Sequence, residues 1–265
     1  MNILIVGGDF RVNIAYKELE KLGYNVDSLG LKADDCGRVE NADVILLPVP
    51  TTRDGKTIFC PQSDRIIPLE YINNHKPEAL VLSCGYKFEN SNCIDYLKLD
   101  SFCLANAVPT AEGAIARAIT DTPFCLWKSR VLVVGYGRVG KILAERLQAL
   151  KCDLVVSARK SSDFAHLDAL GIKHIHTNTV PENANKFDII FNTIDVKLFN
   201  DLKTLENCYL YDLSTKGCLD YTTTQALNIK STMLPGIPGK TAPVTAGKII
   251  AQTVNDLIGD WVCKI

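Results

Sequence analysis

Residues 130–143, RVLVVGYGRVGKIL, decide the fold. Val131, Leu132, Val133 and Val134 form a short, β-branched apolar run that stops at glycine, the pattern of a buried strand. Gly135, Gly137 and Gly140 follow at once in G-x-G-x-x-G spacing. Ile142, Leu143, Leu147 and Leu150 then fall on one face of a helix over 141–150, and a second strand opens at Leu154. A lone glycine triplet says little, since βα turns without any ligand also contain glycine. Here the strand before and the helix after make it a dinucleotide-binding βαβ unit. Gly135 permits the tight turn, Gly137 lets the backbone approach a pyrophosphate, and Gly140 lets the helix pack close to the strand. The helix N-terminus supplies N–H donors and positive dipole. Tyr136, Arg138 and Val139 lie between the glycines and belong to the same expected site.

The end of the second strand reads the ribose. A carboxylate usual for NAD is missing: residues 157–161 are SARKS, and the first acid is Asp163. Ser157, Arg159 and Lys160 suit a 2′-phosphate instead, so the expected cofactor is NADP, with NAD the alternative. The competing reading is that both cations are merely solvated at a strand end.

Outward from this unit, strands are expected at 174–175, 189–192 and 209–212, with a further candidate at 229–233. In the first half they are expected at 2–6, 25–29, 42–47, 79–83 and 102–104. Helices are expected at 12–22, 67–73 and 91–97. Continuous apolar strands separated by helices imply parallel sheets covered on both faces. Pro109 and Thr110 read as the opening of a linker helix over 111–119. Residues 234–243, LPGIPGKTAP, look too rich in glycine and proline to be regular, and a last helix is expected at 244–258. The resulting expectation is an α/β fold of two Rossmann-like domains with parallel sheets. A linker helix joins them and the C-terminal helix returns to the first domain, which places the active site in the cleft between halves. The boundaries are 1–108 plus 242–265 for a flavodoxin- or Rossmann-like substrate domain, and 109–241 for the NAD(P)-binding domain.

Composition narrows the function classes. With 47% hydrophobic and 22% charged residues among 265, the chain can build full cores. A formal net charge of -1 gives no support for wholesale binding of nucleic acid or anionic membrane. No apolar run reaches the ~18 residues of a membrane span. The opening MNILIVGGDF reads as a first strand rather than a signal peptide. Ten scattered cysteines without a C-x-x-C pair read as reduced and mostly buried, which points to the cytoplasm and to no metal site. A homo-oligomer is possible.

Parallel α/β domains bind ligands beyond the carboxyl ends of their strands. In the first half those ends carry Asp9 and Arg11, then Thr51, Thr52 and Arg53, with Thr110 and Glu112 at the linker. Lys240 and Thr241 follow two close glycines before the last helix. Arg11, Thr51, Thr52, Arg53, Thr110, Lys240 and Thr241 fit an anionic, carboxylate-bearing substrate. Glu112 is the expected proton carrier, Asp9 being the other candidate. Each of these side chains taken singly suits a surface or capping role equally well. No histidine follows the Rossmann unit as a general base, which argues against a 2-hydroxyacid dehydrogenase.

Four segments together resemble the family of the dipicolinate synthase A subunit: GGDFR at 7–11, PTAEGAI at 109–115, GYGRVG at 135–140 and LPGIPGKTAP at 234–243. The last is the most distinctive. The resemblance implies NAD(P)-dependent oxidation of dihydrodipicolinate, or its hydrated precursor, to dipicolinate for bacterial endospores. It also implies the diaminopimelate-lysine route and the mother-cell cytoplasm. The partner it implies is the flavoprotein-like B subunit of the same synthase. The alternatives are another nicotinamide oxidoreductase acting on an amino or keto acid, and a cofactor-binding regulatory protein.

Overall fold

In the computed structural model, which describes residues 1–32, 34–89, 92–199 and 201–263, the strands form two sheets whose pairings are all parallel. The first contains β1 (Asn2–Val6), β2 (Asn25–Leu29), β3 (Val44–Leu46), β4 (Leu80–Ser83) and β5 (Asn92–Asp95) in the order β2-β1-β3-β4-β5. The second contains β6 (Arg130–Val134), β7 (Asp153–Ala158), β8 (Lys173–His176), β9 (Ile189–Asn192), β10 (Tyr209–Asp212) and β11 (Ser231–Met233), in the order β11-β10-β9-β6-β7-β8. The first order is flavodoxin-like and the second is that of the doubly wound dinucleotide fold. Strand order reverses between β1 and β3 in one sheet and between β6 and β9 in the other. Those are the crevices where such sheets take ligands.

Burial on both faces explains why the strands read as unbroken apolar runs. Ile3 and Ile5 face Val12, Ala15 and Leu19 of α1 (Phe10–Lys21), while Leu4 and Val6 face the opposite core. In the second sheet Val131 and Val133 pack with Leu143, Ala144 and Leu147, and Leu132 and Val134 face the other way.

The chain divides into two units, residues 1–106 with 238–265, and residues 107–237. It passes from the first to the second within α2 (Asp100–Asp121). After α3 (Arg138–Ala149), α4 (Ser161–Ala169), α5 (Val180–Asn183) and α6 (Tyr221–Ala226) come the short α7 (Ile237–Thr241) and the long α8 (Pro243–Val262). Helix α8 packs on α1 in the first unit. A Cβ at Gly247 would lie 2.4 Å from the Arg11 carbonyl oxygen and 2.5 Å from Ile14 Cβ. Tyr24 Oη donates to Asn255 Oδ1 of α8 at 2.9 Å.

Several local expectations need correction. Residues 102–104 are helical, because α2 starts at Asp100 and carries Pro109 in its interior. Phe102 anchors this early part, buried edge-on against Tyr96 with ring centroids 5.0 Å apart. Thr110 therefore lies inside α2 rather than at its start. The helix expected at 91–97 is instead β5, followed by a 3-10 turn at Tyr96–Lys98; Ser91 lies outside the described residues. Pairing with β4 decides this segment, and Tyr96 Oη fixes the turn by donating to the Leu47 carbonyl at 2.8 Å. The helix expected at 67–73 is a 3-10 segment, Leu69–Asn74. The stretch at 234–243 contains the regular turn α7, seated by the buried Ile237. The cysteines are all free, but Cys36, Cys125 and Cys263 are exposed and only Cys84, Cys208 and Cys218 are buried.

Candidate functional site

The glycine turn of the second unit is built by three different constraints. Gly135 has φ of 97°, and a Cβ there would lie 2.5 Å from Ile194 Cγ2 and 2.7 Å from Thr193 Oγ1. Gly140 lies against the same turn: its Cβ would sit 2.1 Å from the Gly135 carbonyl oxygen. Gly137 is the N-cap of α3, has no side-chain cap, and faces open space, with no heavy atom within 4 Å of an added Cβ. The two crowded glycines bring helix and strand together, and the third keeps the approach to the first turn of α3 open. Backbone N–H groups of a first helical turn have no acceptor within the helix. This is the cradle a pyrophosphate fits.

Around the turn the side chains sort themselves. Gly135 N donates to the Ser157 carbonyl at 3.1 Å and to Ser157 Oγ at 3.3 Å. Ser157 is fully buried, with its Oγ also 3.4 Å from Thr177 Oγ1. It is thus occupied in holding the turn, not presented to a ribose as the sequence reading expected. Tyr136 is buried and its Oη meets His166 Nδ1 at 3.1 Å, so only its backbone belongs to the turn. Burial, with Asp163 nearby, pushes its hydroxyl pKa upward. Arg138 is exposed and Val139 half-buried. Arg159 and Lys160 are exposed directly after β7, and no side chain caps α4 there.

At the carboxyl ends of β9 and β10 lies a buried polar array that the sequence reading missed. Asp212 Oδ1 accepts from Asn192 Nδ2 and Ser214 N, each at 2.9 Å. Its Oδ2 accepts from Cys218 N and Tyr221 Oη, each at 2.6 Å. Burial pushes the carboxyl up, but the bonds from Tyr221, Asn192, Ser214 and Cys218 outweigh it and leave the pKa below its ordinary value. Asp195 ties the two loops by accepting from Thr215 N at 2.7 Å and Lys216 N at 3.0 Å. A lone Asp and a lone Asn at strand ends gave no signal in the sequence beyond their position.

In the first unit the expected substrate residues fall into separate settings. Arg11 lies at the β1/β3 crevice and is nearly buried. Its Nε is 2.9 Å from Asp9 Oδ1, and its Nη2 is 2.7 Å from Asp9 Oδ2 and 2.5 Å from the Val49 carbonyl. Asp9 also caps α1 by accepting from Arg11 N at 3.1 Å. Thr51 is fully buried and its Oγ1 accepts from Cys84 N at 2.7 Å, which ties the ends of β3 and β4. Thr52 donates to Asp54 at 3.0 Å within an exposed turn. Arg53 lies 3.9 Å over the Phe59 ring. It lines a cavity of about 340 Å³ together with Arg65, Asp54 and Asp64, a balanced charge set. Lys240 and Thr241 are exposed at the end of α7. The structure thus gathers Asp9, Arg11, Val49 and Gly239, and it gives Thr51, Thr52 and Arg53 local tasks of their own.

In the second unit Thr110 lies half-buried inside α2. Glu112, also on α2, is exposed, with Oε1 3.5 Å from Arg146 Nε of α3. Among the described residues no three His, Cys, Asp or Glu side chains converge as a metal site. No helix among them is long and apolar enough to cross a membrane.

Comparison with known proteins follows this geometry. Residues 2–101 match the family described as the N-terminal domain of the dipicolinate synthase A subunit. Over 98% of its length the chain is 27% identical to the dipicolinate synthase A subunit of Bacillus subtilis (strain 168), and covers 96% of it. The crystal structure of the same subunit from Bacillus halodurans superimposes with a TM-score of 0.86 at 27% identity, covering 97% of both chains. That of the dipicolinate synthase A chain from Bacillus subtilis gives 0.88 at 25% identity, covering 100% of this chain and 98% of the other. The apo D-lactate dehydrogenase of Escherichia coli, at 13% identity and a TM-score of 0.63, shares the fold. Residues 2–101 thus match the N-terminal domain of the dipicolinate synthase A subunit, and the whole chain resembles that protein in sequence and in fold.

Proposed function

We propose that this chain oxidises dihydrodipicolinate, or its hydrated precursor, to dipicolinate with NADP as the preferred acceptor, in concert with the synthase's B subunit. The observation that carries the reading is the contrast among the three glycines of the turn. Two are demanded by packing, while Gly137 serves no packing purpose and leaves room where a pyrophosphate needs it. The likeness to the A subunit of dipicolinate synthase supplies the substrate class.

When bound, the nicotinamide would accept a hydride from the dihydropyridine ring, while a proton leaves an adjacent ring carbon. Aromatisation makes that step strongly downhill, so the protein has mainly to position the ring and neutralise two carboxylates. In our reading Arg11 and Lys240 supply cationic partners, and Thr241, Thr52, Arg53 and Thr110 complete the candidate set, while the buried Thr51 holds the ends of β3 and β4 together. Glu112, exposed beside Arg146, is the proposed proton acceptor. The backbone of residues 135–140 receives the pyrophosphate, with Arg159 and Lys160 at the 2′-phosphate.

The test is an assay of the purified chain, with and without the B subunit, given dihydrodipicolinate and NADP or NAD. Reduced cofactor and dipicolinate appearing in equal amounts support the reading. Turnover of a 2-keto acid by the chain alone, or tight cofactor binding with no turnover under any condition, contradicts it.

A further inference from the structure

Arg11 is held so completely that only one part of its guanidinium faces outward. Nε and Nη2 are both committed to Asp9, and Nη2 also to the Val49 carbonyl. Gly239 closes another side: a Cβ there would lie 3.0 Å from Arg11 Nε, 3.2 Å from Asp9 Oδ2 and 3.4 Å from Arg11 Cζ. The backbone of Arg11 is clamped as well, since Gly247 of α8 packs on its carbonyl oxygen. Nη1 has no acceptor among the described residues, and it is not among the buried polar atoms left without a partner. Only 7% of the Arg11 side chain is exposed.

We infer that Asp9 is a positioning residue for carboxylate recognition: it locks Arg11 so that the site takes one carboxylate end-on, through Nη1. This rests on the reading of the substrate as a dicarboxylate. A free arginine presents its side-on Nε/Nη2 edge to a carboxylate as a bidentate fork. Here Asp9 fills that edge, which leaves end-on engagement by a group at the β1/β3 crevice. The arrangement also cancels most of the local charge before substrate arrives, so the crevice favours a ligand whose second anionic group finds a separate cation. Asp9 acts only through Arg11 in this account, and that is what separates it from an ordinary helix cap.

The experiment is calorimetric titration of pyridine-2,6-dicarboxylate into the full chain with saturating cofactor. It compares the parent with Asp9→Ser, Asp9→Asn, Arg11→Gln and the double variant Asp9→Ser/Arg11→Gln. Serine and asparagine both cap helices as well as aspartate does, so a lower unfolding temperature reports the broken Asp9–Arg11 pair rather than a lost cap, and every titration is run well below it on folded protein. The expected result is a loss of diacid affinity of about tenfold or more for Asp9→Ser and for Arg11→Gln, a smaller loss for Asp9→Asn, and unchanged cofactor affinity. The double variant should bind no more weakly than Arg11→Gln alone, because the two positions form one unit. Parent-like diacid binding by both Asp9 variants, or losses that add in the double variant, overturns the inference while leaving the dicarboxylate reading intact. A parent that binds cofactor but no diacid overturns that reading, and the inference with it.

Discussion

Gly140 stands so close to Gly135 that a single methyl group on it would sit 2.1 Å from the Gly135 carbonyl oxygen. That distance ties α3 to the end of β6 through backbone alone. Gly140→Ala must therefore displace the helix. Overpacking of a tight core costs typically about 1–3 kcal/mol, and backbone against backbone places this change at or above the upper end. Urea unfolding of Gly140→Ala should show that loss; a midpoint equal to the parent's would mean the turn is looser than described.

The buried Asp212 supports a second stability prediction. Asp212→Asn removes the charge that Cys218 N and Tyr221 Oη donate to, and should cost roughly 1.5–3 kcal/mol at neutral pH. Because its folded pKa is depressed, the carboxylate contributes stability above its unfolded value of about 4, and that contribution is lost as pH falls through the folded pKa. The gap between parent and variant should hence narrow below about pH 4. Denaturant titrations at several pH values check this, and a gap that is constant down to strong acid would remove Asp212 from the account.

How far the sequence was legible depended on whether the deciding partner was local. The glycine turn was readable because backbone geometry restricts residue type at Gly135 and Gly140 whatever surrounds them. The start of α2 was not, because Pro109 and Thr110 imitate a helix opening while the true anchor is Phe102 against Tyr96, a tertiary contact. Strand β5 carries little apolar signal of its own and owes its state to pairing with β4. Ser157 suited a ribose by position, yet its hydroxyl serves Gly135, 22 residues earlier. Arg11 was legible only as a candidate cation, and its lock by Asp9 and Gly239 was not legible, since Gly239 reaches it from the far end of the chain.

Among the proposed substrate residues, Arg11 and Lys240 should differ in kind. Lys240→Ala removes an exposed charge and should leave stability unchanged. Arg11→Ala strands Asp9 and should also lower the melting temperature. Both should lower kcat/KM about tenfold or more, for a loss of roughly 1.5–3 kcal/mol, with cofactor affinity nearly constant. Steady-state kinetics with separate cofactor titrations decide it. Parent-like kcat/KM in both variants would exclude them from carboxylate recognition.

Cofactor preference should rest on Arg159, the exposed guanidinium after β7. A guanidinium can engage a phosphate in bidentate fashion. Arg159→Ala should weaken NADP about tenfold or more and NAD little, for roughly 1.5–3 kcal/mol lost. The preference of the parent should shrink as salt rises, since exposed charges are screened. Equal losses for both cofactors would make Arg159 a solvated strand-end charge.

The central claim is that the open space in front of Gly137 receives the pyrophosphate of a nicotinamide dinucleotide. The most direct measurement is calorimetric titration of NADP and NAD into the parent and into Gly137→Val. A Cβ at this N-cap meets no heavy atom within 4 Å outside the adjoining backbone, so the variant should fold, with a stability cost of no more than about 1 kcal/mol for the poorer cap. The account predicts saturable one-to-one binding to the parent and none to the folded variant. Unchanged affinity in Gly137→Val, or a parent that binds neither cofactor, would contradict it.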